Sequence, residues 1–447
     1  EALAEIGITA IELMPVADFP GARNWGYDGT LPFAPDEQYG TPDEFKRLID
    51  AAHGLGLMIF LDVVYNHFGP DGNYLGLYAR EFFRADCRTP WGDAIDFRRQ
   101  PVRRFFIENA LYWIHEFRID GLRFDAVHAI CGKDFLHELA REIRASVPPE
   151  RHVHLVVEND DNDAGLLENG FDAQWNDDFH HAMHVLLTGE TTGYYGDYAQ
   201  HPSEALARSL RDGFVYQGEY SQHRGTARGT ASAHLPPAAF VDFLQNHDQT
   251  GNRAFGERLT ALAEPNALKA AVALLLLSPH IPLLFMGEEW GAREPFLYFC
   301  DHRDAGLAKS VREGRRSEFA KFADFADPAK RAQIPDPNAA ETFERSRPRD
   351  DAPEAQLWRY LYTRLLRLRH EQIIPRLKGA DGEHAEAIGE KAILARWRMG
   401  DGARLTLACN LGAEAAPANL PGGVPLWGQT GGGTIQAHTT LCWIELP

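Results

Sequence analysis

The sequence predicts an α/β protein: a (β/α)8 TIM barrel followed by a small antiparallel β-domain. Three observations predict it. The 447 residues suffice for one large barrel and a smaller unit. Up to about residue 290, short apolar runs alternate with longer amphipathic segments, a rhythm that needs right-handed crossovers and a parallel sheet. From about residue 379 the pattern changes to short β-like runs separated by glycine turns.

The elements follow in order. "ITAIELMP" (8–15) reads as a strand ending in proline. "TPDEFKRLIDAAHGLG" (41–56) reads as a helix, with Thr41 as N-cap, Pro42 at its first position and Glu44 completing a capping box. Strand 57–64, helix 100–117 and strand 121–127 come next, then helix 135–147, strand 153–158 and strand 170–176. Strand 238–244, a helix at 266–278 and strand 281–287 follow. Seven strands are visible, so the eighth of a closed barrel is expected before Glu1, and "EALAEIGI" reads as the tail of the first barrel helix. Segment 191–235 lacks the rhythm, and its "GEYSQHRGTARGT" (218–230) reads as a long loop over the barrel mouth. Residues 325–355 read as an irregular excursion before a helix at 354–371. The expected domains are a catalytic barrel, 1–378, N-terminally incomplete, and a C-terminal β-sandwich-like domain, 379–447.

Composition narrows the function. A net charge of -19 argues against nucleic acid, because phosphate binding needs clustered Lys and Arg. No apolar run reaches the ~18 residues that span a bilayer, so no membrane role is expected. The five cysteines, Cys87, Cys131, Cys300, Cys409 and Cys442, are odd in number and widely spaced. They suggest neither a disulfide framework nor a zinc knuckle, and the cytoplasm is the expected compartment.

In parallel barrels, chemistry sits at the C-terminal ends of strands. "FLDVVYNH" ends there in Asn66 and His67, "GLRFDAVH" carries Arg123, Asp125 and His128, "LVVEND" delivers Glu158, and "DFLQNHD" delivers His247 and Asp248. Asp125 lies within an apolar strand, where an Asp is costly unless paired or functional. Arg123, two positions back, faces the same way. It can be a structural partner or the charge that keeps a nucleophile ionised. Glu158 ends an apolar strand near other acids, which should raise its pKa as a general acid needs. Carboxyls pushed to opposite protonation states are the signature of glycosidic bond chemistry.

"DVVYNH", "GLRFDAVH", "VVEND" and "FLQNHD", in that order, resemble the four signature stretches of the α-amylase family of glycoside hydrolases. The resemblance covers residues 1–290 and implies a retaining mechanism with Asp125 as nucleophile, Glu158 as acid/base and Asp248 as stabiliser. It implies sugar-subsite roles for His67, Arg123 and His247, stacking of Tyr27 on the sugar, and a place for Asp62 at the start of the first motif. Stretches such as "VVENDDN" and "QWNDDFHHAMHVLLTGE" are similar to those of members acting on an α-glucan oligosaccharide with a trehalose end, from which they release trehalose. Asp160 and Asp161 are then either solvated loop acids or contacts to that end. Trp175, Asp177 and His128 are open between barrel packing and substrate contact. Branching enzymes, debranching enzymes and amylases share the triad, so products separate them. A non-catalytic glucan-binding relative should have lost one of the three acids.

No metal or cofactor is expected. His180 and His184 are spaced i,i+4 on a helix, but HExxH is absent and no third ligand is indicated. Asn66 matches a calcium-binding position of many amylases, with no other ligands identified. The acids after Glu158 lack the offsets of a calcium loop. "GTARGT" and "GQTGGGT" fit no phosphate-binding pattern.

Overall fold

The computed structural model describes residues 1–447. The chain divides into one unit of residues 1–160, 169–172 and 297–347, and a second of 161–168, 173–296 and 348–447.

In the first unit, β1 (Ala10–Leu13), β2 (Met58–Val63), β3 (Gly121–Phe124) and β4 (His154–Val157) pair in parallel and in chain order. The helices α1 (Pro42–Gly54), α2 (Gln100–Glu116) and α3 (Asp134–Ser146) make the crossovers. The predicted capping box closes α1: Thr41 Oγ1 accepts from the Glu44 amide and Glu44 from the Thr41 amide. Every residue of β3 is buried, as expected of an inner parallel strand covered on both faces. The core beneath is aromatic, with Phe97 stacked on Phe135 at 3.9 Å and Tyr65 against Phe106 and Phe124.

In the second unit, β5 (Ala173–Trp175), β6 (Phe240–Phe243) and β7 (Ile281–Leu283) are parallel. Helix α4 spans Asp177–Thr188. The 191–235 segment that lacks the rhythm contains a further helix, α5 (Pro202–Asp212), and within the expected 218–230 loop a short hairpin pairs Tyr220–Ser221 with Thr226–Ala227. Pro202 at the first turn and Leu206 and Leu210 at i,i+4 were its sequence signals. Helix α6 (Pro265–Leu277) is buried almost all round, hence its unbroken apolar run. After α7 (Ala355–Leu368), the antiparallel strands β8 (Asp381–Gly389), β9 (Ala392–Arg398), β10 (Arg404–Asn410) and β11 (Thr439–Glu445) form one sheet in that order.

That sheet covers α6, with Thr440 Oγ1 donating to the Ala270 carbonyl at 2.7 Å. It also covers α5, where Trp397 Nε1 donates to the Leu210 carbonyl at 3.0 Å. The 325–355 segment is less irregular than expected, containing Pro328–Arg331 and Ala340–Ser346 helices. The cysteine reading is also corrected. Cys87 and Cys131 form a disulfide, because the hairpin Phe83–Thr89/Gly92–Ile95 folds against the loop after β3. Cys300, Cys409 and Cys442 are buried thiols.

Candidate active site

Parallel register places the candidates of the first unit. Asp62 on β2 stands opposite Arg123 on β3, and Glu158 follows the last residue of β4, itself opposite Phe124. Arg123 is fully buried and holds three carboxylates: Asp62 at 2.6 Å and Asp125 at 2.9 Å through Nη1, and Glu158 at 2.5 Å through Nη2. Tyr27 donates its hydroxyl to Asp62 at 2.6 Å. A buried guanidinium with several carboxylates is compensated, where a single buried charge would not be.

The two candidate reacting acids have unlike surroundings. Asp125 accepts on both oxygens, from Arg123 on Oδ1 and from Asn66 Nδ2 on Oδ2 at 2.8 Å. Glu158 accepts through Oε2 alone, from Arg123 and from the Ala126 amide at 3.0 Å. Ala126 sits in the left-handed region (φ 41°), an uncommon conformation for a residue with a Cβ, immediately after Asp125. Burial pushes both acids above their ordinary pKa. Arg123 opposes the rise in both, and Asp125 adds to it in Glu158. So the expected pull of Arg123 on Asp125 is present but smaller than the effect of burial. Glu158 Oε1 is engaged by neither Arg123 nor Ala126.

Around this pair, buried His67 bonds the Tyr27 carbonyl through Nε2 at 2.9 Å, and burial lowers its pKa. The Asp160 amide donates to His128 Nδ1 at 3.3 Å, tying the loop after Glu158 to the loop after Asp125.

Three residues of this surrounding were missed or underread in the sequence. Trp91, at the hairpin tip, lies half-exposed and stacks on the His67 ring at 4.8 Å; a lone Trp in "TPWGD" was its signal. Asn66, named at the strand end and weighed as a calcium position, donates to the side chain and backbone of Asp125. Glu12 on β1 is pushed up to about 8 by burial and by Asp62.

The second unit carries the remaining candidates. Asn246 caps the Asp248 and Gln249 amides and so fixes the start of the short helix His247–Gly251. His247 is buried and its Nε2 lies 3.6 Å from Asp248 Oδ1, with the Asp248 side chain 38% exposed. Asp161 pairs with Arg224 of the Gly-rich loop at 2.7 Å, and its carbonyl accepts from the Gly229 amide. Trp175 packs on Phe243 and His247, while Asp177 accepts from Gln249. The His180 and His184 rings are engaged by the Leu244 carbonyl, Tyr195 and Glu190.

Residues 1–80 match the alpha amylase catalytic domain model, and residues 380–442 match a domain of unknown function, DUF3459. A malto-oligosyltrehalose trehalohydrolase from Deinococcus radiodurans is 40% identical over 438 residues, 95% of this chain and 71% of the relative. One from Saccharolobus solfataricus is 45% identical over 331 residues, 72% of this chain but only 58% of the relative, so the chain spans about three-fifths of that protein's length. The crystal structure of a Salmonella typhimurium protein classed as an alpha amylase superposes with a TM-score of 0.92 at 45% identity, covering 99% of this chain and 77% of that one. With the α/β barrel strands, the C-terminal sheet and these likenesses together, the chain belongs to the malto-oligosyltrehalose trehalohydrolases of the α-amylase family of glycoside hydrolases.

Proposed function

We propose that this protein is a retaining glycoside hydrolase that cleaves the α-1,4-glucosidic bond next to the terminal trehalose of maltooligosyl trehalose, releasing trehalose. The observation that carries the chemistry is the pair of buried carboxyls bridged by Arg123, one bonded through both oxygens and the other through one. The names of the matched relatives supply the substrate.

In this reading Asp125 attacks the anomeric carbon while Glu158 gives its proton to the glycosidic oxygen, and trehalose leaves. Glu158, now ionised, takes a proton from water, whose oxygen displaces Asp125 from the glycosyl-enzyme and restores both groups. Arg123 offsets the negative charge that alternates between the two acids. Asp248 stabilises the positive charge that develops on the sugar ring, with His247 beside it. Asp62 and Arg123 fix the Tyr27 hydroxyl, so the ring can pack on the sugar. His67 and His128 line the same sugar site. Asp160 and Asp161 bind the trehalose end, Asp161 together with Arg224. Residues 1–378 form the catalytic part and 379–447 the C-terminal β-domain, in a protein that works on a neutral α-glucan oligosaccharide.

Chromatographic product analysis tests this directly. Maltooligosyl trehalose incubated with the protein should yield trehalose and the shortened maltooligosaccharide. Release of maltose, or transfer of a glucan branch, would assign it instead to another activity of the same family.

A further inference from the structure

Away from the catalytic carboxylates, toward the N-terminal ends of the strands, Phe60 on β2, Gly121 on β3 and His154 on β4 form one register row. A Cβ on Gly121 would come within 2.8 Å of the Phe60 ring, so glycine lets that ring lie over the middle strand. His154 stacks on it, centroids 5.2 Å apart and planes 24° from parallel. His152 meets His154 edge-on at 4.6 Å. Asp172, in the turn of residues 169–172, places Oδ1 3.2 Å from His152 Nε2. Its Oδ2 accepts from the Leu155 amide at 2.7 Å and from Arg144 Nη2 at 2.6 Å. One ligand atom from each of His152, His154 and Asp172 lies within 4.8 Å of the others.

We propose that His152, His154 and Asp172 bind a divalent transition-metal ion of the Zn2+ class, distinct from the glycosidase site. Two imidazoles and a carboxylate are the donor set of zinc and its neighbours, whereas calcium and magnesium take oxygen ligands. The outer contacts are those of a ligand set: the Phe60 stack orients His154, and the Leu155 amide with Arg144 fixes one Asp172 oxygen and turns the other toward the imidazoles. The His152 side chain is 57% exposed and can swing inward, closing the three donors toward the ~3.3 Å edge of a tetrahedron with ~2.05 Å bonds. Water completes the coordination. Arg144 partly neutralises Asp172, so the ion exchanges rather than being held permanently. Bound there, it ties the segment leading into β4 to the 169–172 turn, on the barrel face associated with stability.

Calorimetric titration of the chelator-treated protein with Zn2+ alone tests the site. One equivalent should bind saturably, and Tm should rise with Zn2+ concentration as mass action requires. His152→Ala, at an exposed position, and His154→Phe, which keeps an aromatic ring against Phe60, should each weaken that binding at least ~10-fold and remove the Tm rise. Absence of saturable binding, or equal affinity in the wild type and both variants, would overturn the proposal.

Discussion

Arg123 decides the character of the site at the scale of single residues. Its guanidinium reaches Asp62, Asp125 and Glu158, so two acids that would repel each other are held together in a buried place. The bonding on the two acids differs, engaging both oxygens of Asp125 and one of Glu158. Catalysis in the proposed mechanism needs Asp125 ionised and Glu158 protonated, and burial raises both pKa values. Activity should therefore fall as pH drops through a limb above 3.8, where Asp125 gains a proton. It should fall again as pH rises through a limb above 4.5, where Glu158 loses one. A kcat/KM–pH profile measures both limbs. Glu158→Gln should cut kcat by about 10³-fold or more and abolish the alkaline limb while leaving Tm nearly unchanged. Near-normal turnover in that variant would remove Glu158 from the acid/base role. Asp160→Ala should raise KM for the trehalose-ended substrate more than for a plain maltooligosaccharide, in paired kinetics. An equal effect on both would make Asp160 a loop acid only.

Among the elements, β4 shows how little regular structure suffices to place a candidate acid. Four residues, His154–Val157, fix the register, and Glu158 follows at the strand end with its amide bonded to the Phe124 carbonyl. The acids that follow it divide their tasks: Asp161 pairs with Arg224, and Asp163 Oδ1 accepts from the Gly165 amide at the start of a short helix. Helix α5 ends at Gly213, where φ is +86° and a Cβ would lie 1.9 Å from the Phe240 ring. Gly213→Ala should thus cost about 2–4 kcal/mol, combining left-handed strain with a clash against β6. Gly54→Ala in α1, where a Cβ meets nothing within 4 Å, is the control and should be neutral or stabilising by up to about 1 kcal/mol. Denaturant unfolding of both variants measures the contrast, and equal stabilities would refute the packing argument.

On the scale of the whole molecule, the C-terminal sheet acts as a cover. Helix α6 has buried residues on every side because β10 and β11 lie over it, and α5 is held by Trp397 and by Ser203, whose hydroxyl donates to the Glu390 carbonyl. A chain truncated after residue 378 would leave the run "AVALLLL" open to water. Such a protein should be found mostly in the insoluble fraction on expression. A soluble truncation with the Tm of the full chain would show the sheet to be dispensable.

What the sequence determined by itself was whatever rests on local period and on residue type at strand ends. Apolar runs and capping residues marked the barrel strands and helices, and Asp125, Glu158 and Asp248 stood out because carboxylates are rare at the ends of buried strands. Tertiary structure decided what depends on distant partners. Helix α5 needed the C-terminal sheet on its apolar face, strand β8 is half-polar and gains its order from β9, and Cys87 meets Cys131 only because a hairpin folds back. It also decided the balance of charge. Spacing showed that Arg123 faces Asp125, but only the packed site brings in Asp62 and Glu158 and withdraws enough water for burial to outweigh the arginine. Side-chain period is a property of neighbouring residues in the chain, whereas desolvation is a property of everything folded around them.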